Sequence, residues 1–351
     1  MSLSTKKRTL DAFFTQPTKK PKVSEDEGAG KQADKASTPD EVSASISIRN
    51  LTVQYLMAKK LGFSTHPTYP FPVPAFPADI SSELTSFPST IGREINDQAD
   101  LDLLYFEPYI PKYLERKLFQ FLRSELPFYR VEYNIQRGGV ETHIRTPRYT
   151  TVFGLDETSR FDENGEVVDA TTGNKVAKDR YYSKYPPRPI PKCLNDLRLS
   201  TEAATVCKFN FCLVNYYASG SDSISYHSDD ERFLGDLPAI ASFSLGAKRD
   251  FLVKHKPVAS NDNAPPPETK PIKLPLASGD MILMRGRTQA NWLHSIPKRT
   301  GKNADDGGRI NITFRRAMVK AGTENYYNYN VGTGPVFKWA ASSRDMKLWK
   351  V

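Results

Sequence analysis

Residues 215–231 read NYYASGSDSISYHSDDE, and the reading of the whole chain turns on them. The stretch opens with Asn215-x-Tyr217, crosses a loop of small polar residues and reaches His227-Ser228-Asp229. In an extended strand successive side chains point to opposite faces, so His227 and Asp229 share one. An imidazole and a carboxylate then aim at one point in space. A second histidine from a distant strand would complete a set of two histidines and one carboxylate. Such a triad suits Fe(II), because it leaves coordination positions open. Taken alone, His-x-Asp is more often a solvated turn than a metal site, so the surrounding strands must decide.

Immediately upstream, residues 206–217 read as the clearest strand. Cys207, Phe209, Phe211 and Leu213 share a face that Asn215 and Tyr217 continue. An apolar wall thus ends in two polar groups, as at the mouth of a filled barrel. Downstream, residues 240–245 and 250–253 read as a hairpin across Gly246. Residues 273–276 and 280–284 read as strands around Ser278-Gly279, with 292–296 next. Residues 309–315, RINITFR, alternate without exception: Ile310, Ile312 and Phe314 take one face, and Arg309, Asn311, Thr313 and Arg315 the other. Many short strands with Gly or Pro turns indicate a mainly β fold, a sandwich or jelly roll.

Strands also read over residues 101–106 and 129–133, the latter before a Gly138-Gly139 turn. Between them, Pro111 pre-sets a helix start, and Leu114, Leu118, Phe121 and Leu122 line one helical face. Residues 156–180 are acidic and Gly-containing, as in a surface insertion.

His294, about 65 residues beyond Asp229, is a fit third ligand. Of the remaining histidines, His66 falls in a proline-rich segment and His255 beside an excursion, which leaves His143 as the competitor. Arg309 adds weight. An arginine inside a strand is seldom buried without an anionic partner, so this position calls for a carboxylate deep in the fold. A dicarboxylate that chelates the metal at one end and pairs with Arg309 at the other would supply it.

At this point the sequence closely resembles the AlkB family of Fe(II)- and 2-oxoglutarate-dependent dealkylases, over about residues 100–318. The resemblance rests on Asn215-x-Tyr217, His227-x-Asp229-Asp230-Glu231, Ser242-Phe243-Ser244-Leu245-Gly246, His294 and Arg309-x-Asn311-x-Thr313-Phe314-Arg315. Asp229-Asp230-Glu231 and Pro147-Arg148 are most similar to the DNA-repair branch found in eukaryotes. The resemblance implies a double-stranded β-helix with His227, Asp229 and His294 as iron ligands. It implies that Arg309 pairs with the distal carboxylate of 2-oxoglutarate, that Arg315 and Asn311 assist, and that Asn215 and Tyr217 hydrogen-bond the co-substrate. It also implies an enzyme that uses O2 to dealkylate bases of the 1-methyladenine and 3-methylcytosine type in DNA, with release of formaldehyde. An RNA or tRNA demethylase on the same core, and a catalytically silent nucleic-acid-binding module, are the rival readings.

Pro147-Arg148-Tyr149-Thr150-Thr151-Val152-Phe153-Gly154 matches the family's nucleotide-recognition lid, which would span about residues 134–185. Tyr149 and Phe153 are expected to stack on a base, Arg148 to hold a phosphate, and Asp230 with Glu231 to meet the base's exocyclic amine. Duplex-specific relatives carry an apolar wedge shortly before the lid. Here that stretch is Asn134-Ile135-Gln136-Arg137-Gly138-Gly139-Val140, without an aromatic, which leaves strand preference open.

Composition sets the frame. With 351 residues the chain can hold a sizeable core, but 38% hydrophobic content and 26 prolines point to extended segments beside it. The net charge of +9 favours an anionic partner. Residues 1–22 carry six basic residues against Asp11, so +5 of that +9 lies in the tail. Residues 1–45 read as a disordered tail. Within it Leu10, Phe13 and Phe14 fall on one face of a helical turn. Lys7-Arg8-Thr9-Leu10-Asp11-Ala12-Phe13-Phe14 resembles the sliding-clamp-binding box of replication and repair proteins, with Lys7 where that box usually carries glutamine. Lys19-Lys20-Pro21-Lys22-Val23 looks like a nuclear-import signal. Residues 46–99 read as a segment without regular structure, apart from an ambiguous short helix over 46–60; the prolines of 63–90 argue for an extended wrap packed through Phe71 and Phe76. Residues 319–351 read as a C-terminal extension of no evident role. Three scattered cysteines read as free thiols of a reducing compartment, and no apolar run reaches membrane-spanning length. The expectation is a soluble, monomeric, nuclear protein.

Overall fold

The computed structural model describes residues 62–84, 87–176, 181–257, 268–299, 307–327 and 334–350. The clamp-box-like motif, the basic run at 19–23 and the helix expected within 46–60 lie outside them. The proline-rich segment is less irregular than expected: β1 (Phe63–Ser64) pairs with β2 (Val73–Pro74), and α1 (Ala78–Glu83) follows Pro77. Residues 78–87 contain no proline, so nothing in that interval removes a helical donor. The wrap seats on the core as expected, with the Phe76 and Phe121 rings 5.0 Å apart and Phe71 5.2 Å from Trp349.

β3 (Arg93–Ile95) and β4 (Leu103–Phe106) lead into α2 (Lys112–Glu125), which starts after Pro111 and buries Leu114, Leu118 and Leu122. β5 (Phe128–Arg137) and β6 (Val140–Gly154) form a long antiparallel ribbon joined at Gly138-Gly139. β7 (Ser159–Phe161) and β8 (Val167–Asp169) pair inside the acidic insertion. α3 (Lys192–Thr205) comes next. The strand expected over 206–217 therefore starts late, as β9 (Phe211–Tyr217), because Val206 caps α3 in a left-handed conformation at φ 57°.

The remaining strands are β10 (Ile224–His227), β11 (Ile240–Gly246), β12 (Arg249–His255), β13 (Ile272–Leu276) and β14 (Met281–Met284). After the short α4 (Thr288–Asn291) come β15 (Trp292–Ile296), β16 (Arg309–Arg315), α5 (Glu324–Tyr327), β17 (Val336–Ala340) and β18 (Asp345–Leu348). Among the described residues, ten strands make one large sheet, in the order β18-β17-β5-β6-β9-β16-β11-β14-β4-β3, and four make a second that packs on it, β10-β15-β12-β13. From β9 to β16 the chain passes repeatedly between the two sheets, and the pairings are antiparallel. This is a jelly roll.

The expected hairpin across Gly246 is not one. β11 pairs with β14 and β16, whereas β12 pairs with β13 and β15, so the chain crosses between sheets at that corner. Alternation of apolar residues is the same for a hairpin and a crossover, which is why the sequence could not tell them apart. The corner needs glycine: Gly246 has φ +90°, and a Cβ there would lie 2.5 Å from the Gly308 carbonyl oxygen. Buried Arg249, just past it, donates to the carbonyls of Ser219, Gly220, Asp222 and Pro297 and ties the loops ahead of β10 and behind β15 to the crossover.

The large sheet is buried on both faces. One face carries the core that α2 and α3 cover, with Leu118, Leu197, Val214, Phe243 and Ile312 fully buried. Its other face meets the small sheet through a second core that includes Phe211, Ile282 and Trp292. Between the two sheets this second core gives way to a polar pocket.

Candidate active site

The pocket's floor is one face of three adjacent strands. In the pairing of β9 with β16, Tyr217 stands opposite Arg309, Asn215 opposite Asn311, and Leu213 opposite Thr313. All six line the pocket. Odd positions of β16 face in and even positions pack in the helix-covered core, as the strict alternation required. β6 adds Arg148 and Thr150 to the same floor. The polar groups are tied to one another. The Thr150 hydroxyl donates to Asn215 Oδ1 at 2.9 Å, and Asn311 Nδ2 donates to Ser242 Oγ at 2.9 Å and the Phe243 carbonyl at 2.8 Å. Arg309, 1% exposed, donates to Ser244 Oγ at 2.8 Å and sits 5.4 Å from the Tyr217 ring centroid.

The opposite wall belongs to the small sheet. β10 and β15 pair so that His227 stands directly across from His294, their ring centroids 4.2 Å apart. Asp229, just past the end of β10, turns its carboxylate between them: Oδ1 is 3.8 Å from His227 Nε2, and Oδ2 is 3.8 Å from His294 Nε2. One donor atom from each of the three lies within 4.8 Å of the others. His143 does not compete. It is exposed on the β5–β6 ribbon, bonded to Asn134.

These three side chains fit a metal ion. His227 Nδ1 donates to the Ser225 carbonyl at 2.9 Å, which leaves Nε2 as the nitrogen with an available lone pair. Among the described residues, buried Asp229 Oδ1 has no hydrogen-bond partner. Burial holds the His227 imidazole below its ordinary pKa, and it pushes His294 down to about 3, with the neighbouring His227 adding to the effect. Both rings are therefore neutral near pH 7, the form that ligates. Burial alone would raise the Asp229 carboxyl, but Arg315, His294 and His227 hold it below the usual value, ionised. Fe(II) is the ion that this donor set suits.

Arg315 is placed against the metal cluster. Its Nη2 lies 3.1 Å from Asp229 Oδ2, and its Nη1 donates to the Tyr326 hydroxyl at 2.7 Å.

The expected substrate contacts fare differently. Tyr149 and Phe153 are not base-stacking residues on a free lid. Both are buried in the helix-covered core, Tyr149 against Tyr216 and Phe337, and Phe153 against Tyr69. They occupy odd positions of β6, whereas Arg148 and Thr150, at even positions, face the pocket; a basic, aromatic composition did not reveal that alternation. Arg148 does not reach outward for a phosphate either, for its Nε donates to Asn215 Oδ1 at 3.3 Å. Asp230 is engaged by Lys256 at 2.8 Å. Glu231 is 3% exposed and accepts the Tyr326 hydroxyl proton; burial, against the charge of Arg315, pushes its carboxyl up to about 7.

Residues not anticipated complete the site. Gln289 Oε1 accepts the Asp229 backbone N–H at 2.9 Å, and the Phe251 ring packs 5.3 Å from that of His294. Asn325 and Tyr326 close one side of the pocket. Phe251 alternates with Val253 on a readable strand, whereas Gln289 and Tyr326 sit on single helical turns that carry no period.

A family model described as the 2OG-Fe(II) oxygenase superfamily matches residues 102–315. The chain is 38% identical over 133 residues to the human protein named DNA oxidative demethylase ALKBH2, an alignment covering 38% of this chain and 49% of that protein. To the mouse protein of the same name it is 33% identical over 195 residues, covering 48% of this chain and 79% of the relative. To the mouse alpha-ketoglutarate-dependent dioxygenase alkB homolog 3 it is 38% identical over 137 residues, covering 38% and 46%. The alignments thus span about half the length of most of these relatives.

Proposed function

Because the chain belongs to the AlkB family of the 2OG-Fe(II) oxygenase superfamily, with Fe(II), 2-oxoglutarate and O2 as its cofactors and co-substrate, we propose that it oxidatively dealkylates N-alkylated bases in DNA. The observation that carries this reading is one pocket lined by both the His227–Asp229–His294 cluster and the buried Arg309. Bound Fe(II), with 2-oxoglutarate and O2, supplies the oxidising power that converts an N-methyl group to a hydroxymethyl group, which departs as formaldehyde.

The chain's own residues do the rest. His227, Asp229 and His294 would hold the metal, and the buried Arg309 would pair with the distal carboxylate of 2-oxoglutarate. Asn311 and Arg148 keep the floor polar, while Asn215 and Tyr217 orient the co-substrate. Arg315 fixes one oxygen of Asp229. A base in a duplex cannot reach such a pocket, so the target is flipped out or already unpaired. The base of the β5–β6 ribbon, at Val131 and Thr146, lines the pocket and supports a nucleotide-recognition role for that ribbon.

Sequence features extend the reading. The basic run at 19–23 supports action in the nucleus, and Leu10, Phe13 and Phe14 support docking on a sliding clamp. Substituting Asp229→Ala tests the enzyme reading against that of a binding module. Turnover is expected to vanish while affinity for single-stranded DNA stays within a few-fold of wild type. Unchanged biological protection by the variant would favour the module.

A further inference from the structure

We propose that Tyr326, supplied by the C-terminal segment, is a positioning residue of the metal site: its hydroxyl sets Arg315 against Asp229 and keeps Glu231 behind the pocket wall. The inference rests on the reading of His227, Asp229 and His294 as metal ligands.

A tyrosine hydroxyl has one proton to donate and lone pairs with which to accept. Here the proton goes to Glu231 Oε1, and Arg315 Nη1 donates to the oxygen at 2.7 Å. The guanidinium is a rigid planar fork, so fixing Nη1 also fixes Nη2. Nη2 lies 3.1 Å from Asp229 Oδ2. Tyr326 thereby determines which carboxylate oxygen is taken: Oδ2 faces Arg315, and Oδ1, without a hydrogen-bond partner, faces His227 Nε2. Tyr326, Arg315, Asp229 and Glu231 are each at most 9% exposed, so water does not substitute freely for any link.

The residue is held firmly. Its ring packs 5.2 Å from Phe211 and 5.9 Å from Phe233. The turn that carries it is anchored by the acidic insertion. Asp156, 1% exposed, accepts the Ala321 N–H at 2.9 Å and the Tyr182 hydroxyl at 2.6 Å, while Glu324 accepts the Tyr182 N–H at 2.9 Å. Two segments without a legible role, the insertion and the C-terminal extension, meet where they place this hydroxyl.

Tyr326→Phe keeps the ring and removes only the two hydrogen bonds. Arg315 Nη1 would then face Glu231, already 3.8 Å away, and Asp229 would lose its fixed partner. The measurement is equilibrium titration of the full-length protein with Co(II), without 2-oxoglutarate or DNA, followed through the visible Co(II) bands. Affinity is expected to fall by about 10- to 100-fold, the range for partners that orient metal ligands, and the bands to shift. Tyr327→Phe is the control. That neighbouring buried tyrosine donates to the Gly154 carbonyl at 2.7 Å and has no contact with the cluster, so its loss should lower stability but leave Co(II) affinity within twofold. Should Tyr326→Phe fail to fold, Asp156→Ala, which loosens the turn from a distance, is expected to weaken Co(II) binding in the same direction. A wild-type protein that binds no Co(II) would remove the ligand reading and this inference with it. Wild-type binding matched within twofold by the folded variant would overturn the inference alone.

Discussion

Substituting Arg309→Gln isolates the co-substrate end of the pocket. Arg309 is 1% exposed, donates to Ser244 Oγ at 2.8 Å and is held against the Tyr217 ring. Its charge is therefore already desolvated and oriented before any carboxylate arrives. Losing one partner of a buried, hydrogen-bonded charge pair costs about 2–5 kcal/mol. Glutamine keeps one amide donor for the carboxylate, which places the loss in the lower part of that range, about 2–3 kcal/mol. At about 1.4 kcal/mol per tenfold, the dissociation constant for 2-oxoglutarate should rise roughly 30- to 150-fold. Calorimetric titration of 2-oxoglutarate into the anaerobic Mn(II)-loaded protein measures it directly. Affinity for Mn(II) alone should stay within about twofold, since Arg309 stands on the pocket floor opposite Tyr217, whereas His227 and His294 pair across the opposite wall. A variant that binds 2-oxoglutarate within about threefold of wild type, or loses Mn(II) affinity as far as 2-oxoglutarate affinity, would rule out this role for Arg309.

Other expectations follow from the same site. His294 titrates near 3 in the folded protein against about 6.5 when unfolded. Between those values the unfolded chain binds the extra proton, so the metal-free protein should lose stability as pH falls below about 6.5, by on the order of 1 kcal/mol per unit at most. Thermal melts across pH 4.5–7 should show a flatter profile for His294→Gln, and an equally steep one would contradict the assignment. Replacing Phe13 and Phe14 by Ala should eliminate sliding-clamp capture in a pull-down with catalysis intact; undiminished capture removes the docking role.

Much of this was legible in the chain. The strict alternation of residues 309–315 gave the pocket face of β16 residue by residue, because a two-residue period can satisfy only one pair of faces. His227 and Asp229 were paired correctly even though Asp229 lies beyond the end of β10, since a turn and a strand both bring residues two apart to one side. Asn215 and Tyr217 followed from Phe211 and Leu213 before them, whereas Cys207 and Phe209, read as part of the same wall, lie ahead of β9 and pack in the helix-covered core. The errors have physical causes as well. From Tyr149 onward both faces of β6 are buried, so the polarity of Arg148 and Thr150 and the bulk of Tyr149 and Phe153 gave no sign of which face met the pocket. The Gly246 corner looked like a hairpin because its pairing partners lie far along the chain, at β13 to β16. Tyr326 was invisible for a related reason. Its environment is built by Asp156, Tyr182 and Arg315, residues brought together only by the tertiary fold.

The measurement that tests the central claim most directly is formaldehyde release from 1-methyladenine in single- and double-stranded DNA, with Fe(II) and 2-oxoglutarate, beside His294→Ala. Release should require both cofactors and be lost in the variant, with the ratio of the two DNA forms reporting how far a ribbon without an aromatic at residues 134–140 can open a duplex. Absence of release from either DNA, by protein shown to bind Fe(II) and 2-oxoglutarate, would contradict it.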